Sequence, residues 1–139
     1  MNKTVVEKQI TKEFIEIKTN DKEKQKEIII TNIIHSMGMP ANIKGYYYIR
    51  DAIKSVMENV NNINKITKVL YPEIADKYKT ISSKVERSIR TAITITFDIG
   101  NKNILEKYFD EKYITGNKRP KNSEFIAIIA DKINLELEL

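Results

Sequence analysis

Between Ser83 and Thr94 the sequence SKVERSIRTAIT sets out side chains suited to reading a nucleic acid. On a 3.6-residue wheel Ser83, Glu86, Arg87, Arg90 and Thr94 fall on one side, and Val85, Ser88, Ile89, Ala92, Thr96 and Ile99 on the other. The first face offers short hydroxyls, one carboxylate and two forked guanidinium groups, crowded toward the N-terminal half. A helix that enters the major groove needs this division, with one face sealed in a core and the other presenting polar groups to base edges. The same pattern also occurs in helical domains that bind no DNA, where such a face is simply solvated.

That helix needs a partner to hold it. Pro72 to about Lys79 reads as a short preceding helix, since proline is tolerated where the first-turn N–H has no partner. Thr80-Ile81-Ser82 is the turn between them, with Ile81 placed to plug the angle. Ser82 or Ser83 can cap the second helix by accepting a first-turn N–H. Ser83-Lys84-Val85-Glu86 also spells a capping box, which would turn Glu86 back onto the Ser83 N–H. Phe97 lies near the Arg90 side two turns further on, so either the chain's own C-terminal helix or a second copy is expected to cover it.

Before this pair, Val6, Ile10, Phe14 and Ile17 recur at helical spacing, although Phe14-Ile15-Glu16-Ile17 also alternates as a short strand would. Asn20-Asp21 can cap a separate helix at about Asp21–Met37 that opens with a solvated charged turn at Lys22–Glu27. That helix carries the stripe Ile29, Ile30, Ile33, Ile34 and Met37, and Gly38 and Pro40 stop it. Ile49, Ala52, Ile53, Val56, Met57 and Val60 define a helix over Tyr46–Val60. A short turn at Ile66, Val69 and Leu70 ends or kinks at Pro72. A short helix from about Lys102 to Phe109 and a last one from Asn122-Ser123, burying Phe125, Ile128, Ile129 and Ile133, complete an all-α domain of about six helices. The expected organisation is an N-terminal extension or linker at 1–20 and a helical effector domain at 21–139.

The 139 residues have 41% apolar and 31% charged side chains, a composition that builds one core. The net charge is +5. From Lys65 to Thr94 seven basic residues face three acidic ones, and Lys118-Arg119-Pro120-Lys121 is a second basic cluster. Such clustering fits phosphate binding, or else a solvated surface. No apolar run approaches the ~20 residues of a membrane span, and the polar start is no signal peptide. With no cysteine as well, a cytoplasmic location is expected. His35, the one histidine, sits on or near an apolar stripe and reads as structural. No metal site, cofactor or enzyme activity is expected.

Four segments in order carry a resemblance: Pro40-Ala41-Asn42-Ile43-Lys44-Gly45-Tyr46, Ile66-Thr67-Lys68-Val69-Leu70-Tyr71-Pro72, Ser83-Lys84-Val85-Glu86-Arg87-Ser88-Ile89-Arg90, and Asn122-Ser123-Glu124-Phe125-Ile126-Ala127 with Ala130-Asp131-Lys132. From about Ile30 to Leu135 the chain resembles the DNA-binding effector domain of the stage-zero sporulation response regulator family of Firmicutes. The resemblance implies a six-helix fold unrelated to winged helices, its fourth helix reading TGTCGAA-like boxes in double-stranded DNA, commonly as tandem copies. It implies base contacts by Glu86, Arg87 and Arg90. Arg87 would sit bidentate on guanine, and Glu86 would accept from a cytosine amino group. Ser83, Lys84, Lys68, Lys118 and Lys121 would contact phosphates. RNA polymerase is an implied partner, together with weak or DNA-dependent self-association. Asn42 and Thr91 stand where the family usually has histidine, Lys84 replaces an arginine, and Asn101–Thr115 departs furthest. No receiver-like βα segment precedes the effector in this sequence, so direct control by phosphorylation is not expected. The alternative to a DNA reader is an antagonist that keeps the fold and acts through a protein partner.

Overall fold

The computed structural model describes residues 4–137, with the side chains of 14–20 outside the description. Thr4 starts the first helix through a reciprocal cap, its hydroxyl accepting from Glu7 N at 3.2 Å and its N–H donating to Glu7 Oε2 at 3.3 Å. The helix α1 then runs unbroken over Val5–Ser36. Asn20-Asp21 therefore does not cap a new helix, Phe14–Ile17 is helix and not strand, and Lys22–Glu27 continues α1. Charge pairing suits these residues to the helix instead. Lys26 pairs with Glu23 one turn back at 3.3 Å, and Lys54 reaches Glu23 at 3.4 Å and Glu27 at 3.0 Å. Val6 and Ile10 are exposed, and the side chains of Phe14 and Ile17 lie outside the described residues. Further on, Ile30, Ile34 and Met37 are fully buried, whereas His35 is on the exposed side and off that stripe.

Gly38, at φ +88°, ends α1 in a left-handed turn, with Gly38 N donating to His35 O and Met39 N to Ile34 O. The helix α2 (Lys44–Glu58) buries Ile49, Ala52, Ile53, Val56 and Met57. Asn59 breaks it in an extended conformation, so the helix ends two residues short of Val60, which is exposed, and Met57 is the last buried member of the stripe. A 3₁₀ segment at Val60–Lys65 and a π turn at Ile66–Leu70 lead directly into α3 (Tyr71–Lys77), with Pro72 in its first positions.

From α3 the chain turns through Tyr78–Ile81 into α4 (Ser82–Ile99). The turn repeats the ending of α1, with Lys79 N donating to Asp76 O at 3.3 Å and Thr80 N to Ala75 O at 2.9 Å. Here the left-handed position, φ 55°, is held by Lys79. Ile81 does not plug the interhelix angle, since it is 57% exposed and serves as the helix N-cap. Tyr78 packs inward instead, its ring edge-on to Tyr48 at 5.1 Å and its hydroxyl donating to Asp51 at 2.6 Å. No side chain caps α4, so the expected serine cap is absent.

The helices α5 (Lys102–Leu105) and α6 (Glu111–Thr115) are single turns, so the helix expected from Lys102 to about Phe109 ends at Leu105 and the second turn has no counterpart in the sequence reading. They bring Phe109 under Phe97, at 5.2 Å between ring centres, while Phe125 of α7 (Asn122–Leu137) stacks on Phe109 at 5.2 Å. Phe97 is thus covered by its own chain and needs no second copy. Ile99, assigned to the buried side from the wheel, is 74% exposed because α4 ends beside it.

The helices α2 and α4 cross at Gly45. A methyl group there would run into the Ser88 carbonyl, which is backbone and cannot yield, and would lie 2.7 Å from Ala92 Cβ. Gly45→Ala is therefore expected to lower stability by about 1–3 kcal/mol, the usual range for overpacking a filled interface. Urea melts of both chains check this, and an unchanged midpoint would contradict the close crossing.

Candidate nucleic-acid interface

The exposed side of α4 is built by what its other side must bury. Val85, Ile89, Ala92, Ile93, Thr96 and Phe97 are sealed in the core, and Thr96 satisfies its hydroxyl on the Ala92 carbonyl at 2.7 Å. This leaves Ser83, Lys84, Arg87, Arg90, Thr91 and Thr94 exposed and Glu86 half-buried. Ser82 and Ser83 stand at an uncapped helix start, where N–H groups and the helix dipole favour anions.

Glu86 takes no part in a capping box. Its Oε1 accepts from Arg90 Nη1 at 2.6 Å one turn along the helix. A pair this exposed contributes about 0.3–0.5 kcal/mol, so little opposes the rotation of Arg90 toward another anion. Arg87 makes no hydrogen bond or ion pair among the described residues and presents its fork outward.

A groove of about 530 Å³ runs beside α4, between the π turn and the start of α7. Glu86, Arg90 and Thr94 of α4 line it together with Thr67, Arg119, Lys121 and Ser123. The structure thus brings Arg90, Glu86 and Lys121 around one space. Lys68 and Lys118 are exposed on neighbouring segments and do not line it, and Lys84 faces a separate groove on the turn into α4.

Three residues that hold this surface in place have no obvious mark in the sequence. Asn122, almost fully buried, donates from Nδ2 to Tyr71 Oη and to the Glu86 carbonyl, each at 3.0 Å. One amide thereby joins the first residue of α7 to both helices of the pair. Burial raises the pKa of the Tyr71 hydroxyl and keeps it neutral. Arg119, in the middle of a basic cluster, is engaged by acceptors of its own chain rather than left free for an external anion. It donates to the Tyr113 and Gly116 carbonyls at 2.8 and 2.9 Å and to Asp98 Oδ1 at 2.8 Å. Only its neighbours Lys118 and Lys121 remain outside.

Glu124 completes the start of α7. The Tyr113 hydroxyl, donating to Glu124 Oε2 at 2.6 Å, holds the carboxyl below its usual pKa, helped by the Lys121 N–H and by the charges of Lys121 and Lys118.

No helix of the described residues is long and apolar enough to cross a membrane, and no group of three or more His, Cys, Asp or Glu among them could hold a metal ion. Residues 30–133 match the family described as sporulation initiation factor Spo0A C terminal, a span that takes in α2 through α6 and most of α7.

The Glu124 contacts give a pH signature. A depressed folded pKa stabilises the protein fully above the unfolded value of about 4.3, and that contribution is lost as pH falls through the folded value. The stability difference between wild type and Glu124→Gln is expected to be constant near neutrality and to shrink in acid. Denaturant melts across that range check it, and a difference independent of pH would contradict the carboxylate's role.

Proposed function

The chain belongs to the Spo0A C-terminal family, a DNA-binding domain of sporulation control, and from that premise we propose that it is a sequence-specific transcription regulator that lays α4 in the major groove of TGTCGAA-like sites. The observation that carries the reading is the outward fork of Arg87, unpaired among the described residues on a helix whose other side is locked in the core. Arg87 sits bidentate on a guanine. Arg90 leaves Glu86 to reach a base or phosphate, and the freed carboxylate accepts from a cytosine amino group. Ser83, Lys84, Lys68, Lys118 and Lys121 hold the phosphates, with the uncapped start of α4 supporting the first two.

In this reading residues 1–20 are an extension ahead of the effector domain at 21–139, although α1 crosses that boundary unbroken. Pairing of copies on tandem boxes and contact with RNA polymerase belong to the same reading and rest on the family resemblance. Because Phe97 is covered within the chain, pairing is left to the DNA rather than to an exposed aromatic ring.

Arg87→Ala is expected to cost about 1–3 kcal/mol on a specific duplex and to relax discrimination at one G·C pair. Lys121→Ala should weaken specific and scrambled duplexes alike and reduce the salt slope by about one unit. Mobility shifts of both variants at stated salt test the assignment. An unchanged specific-to-scrambled ratio in Arg87→Ala removes that residue from the reading set, and a wild-type chain that binds neither duplex removes the DNA-reading function.

A further inference from the structure

A second groove, of about 350 Å³, lies between the start of α2 and the turn into α4. Lys44, Lys79 and Lys84 line it with Tyr48 and Thr80, and no carboxylate is among its walls. The nearby Asp51 is already engaged by the Tyr78 hydroxyl at 2.6 Å and by Lys77 at 2.9 Å. Burial and that hydrogen bond push the Tyr78 pKa up to about 12, so Tyr78 adds no negative charge at neutral pH. The groove is therefore a concave site with three cations and no counter-charge on its walls.

Two helices begin at its edge. Lys44 is the first residue of α2, and Thr80 and Lys84 flank the start of α4. Both helices have isoleucine at the N-cap, Ile43 and Ile81, and neither receives a side-chain cap, so their first N–H groups are left for another acceptor. Tyr48 lines the same groove, is 5% exposed, and makes no hydrogen bond with its hydroxyl among the described residues. Its ring is fixed edge-on against Tyr78, which leaves a donor on a rigid support.

Lys79 adds an independent observation. It occupies the left-handed position that ends α3, at φ 55°, a conformation that suits glycine and disfavours a residue with a side chain. The equivalent position of the matching turn at the end of α1 is a glycine, Gly38. A long cation is thus held at a strained site where a glycine would close the turn at lower energy, and the cation borders the groove.

We infer that this groove seats a backbone phosphate of duplex DNA, with Lys44 and Lys79 joining Lys84 as its cations and the Tyr48 hydroxyl as a neutral donor. The inference rests on the DNA-reading proposal and extends the contact surface past α4 to the start of α2. A phosphate is the anion that fits, because it offers several acceptor oxygens to donors converging from different elements.

The variants Lys44→Gln and Lys79→Gly of the full chain test it on a short duplex carrying a TGTCGAA-type box and on a scrambled one, across a range of salt. Each variant is expected to lower the slope of log K against log salt by about 0.9 and to weaken both duplexes equally, leaving the specificity ratio unchanged. Lys79→Gly should do this while raising the melting temperature, since glycine relieves the turn, so weaker binding would not reflect a damaged fold. Wild-type binding with an unchanged slope in both variants overturns the phosphate seat alone. A loss confined to the specific duplex also overturns it, by making these lysines base readers. If the wild-type chain binds neither duplex, the DNA-reading proposal fails and takes this one with it.

Discussion

The close approach of Gly45 to the backbone of α4 is the constraint on which the rest of the structure depends. With no side chain at Gly45, the first turn of α2 rests on the Ser88 carbonyl and on Ala92, and the two helices meet backbone to backbone at that point. Ile49, Ala52, Ile53, Val56 and Met57 continue along the buried face of α2, so its direction is fixed along most of its length. Once α2 lies across Ser88 and Ala92, α4 has one permitted rotation about its own axis. Ser83, Arg87, Arg90 and Thr94 must then point away from the core. The polar face is thus a consequence of packing on the opposite side, which is how a small domain can hold a binding surface rigid without a network of bonds on that surface.

Asn122 secures the same helix from another direction. Its amide meets Tyr71 in α3 and the Glu86 carbonyl in α4, so the first residue of α7 sees both halves of the helix pair. Arg119 just before it ties the C-terminal part of α4, through Asp98, to the carbonyls around α6. Basic residues at 118–121 therefore divide by role. One cation is used internally to set the position of α7, and two are left outside, with Lys121 on the groove that Arg90 lines. The exposed Glu86–Arg90 pair gives the free protein a partly neutralised surface that a nucleic acid can open at small energetic cost. In the proposed function that pair separates on binding, and both partners acquire new contacts.

Much of the fold is legible in the sequence because apolar spacing reports directly on which face is buried. The stripes Ile30, Ile34, Met37 and Ile49 through Met57 needed no tertiary information, and neither did the buried and exposed sides of the first three turns of α4. The wheel fails where burial depends on another element. Phe97 points near the Arg90 side yet is sealed by Phe109 and Phe125, which arrive from α5–α6 and α7, while Ile99 and Val60 fall at helix ends with nothing packed against them. Local capping signals misled for a related reason. Asn20-Asp21 and Ser83…Glu86 carry suitable groups, but α1 runs straight through the first pair, and Glu86 turns to Arg90 instead of back to Ser83. The candidate site was legible as residue types and not as roles. Arg119 resembles its neighbours in sequence, and nothing before the turn announces that Lys79 takes a glycine's conformation.

The central claim is that the exposed face of α4 enters the major groove, and chemical footprinting tests it most directly. Guanine N7 is reached by methylating reagents only from the major groove, and adenine N3 only from the minor groove. With the chain bound to a TGTCGAA-type duplex, the account predicts protection of guanine N7 within the box and unaltered methylation of adenine N3. Protection of adenine N3 with guanine N7 left open would place the protein in the minor groove and contradict the assignment of α4 as the reading helix.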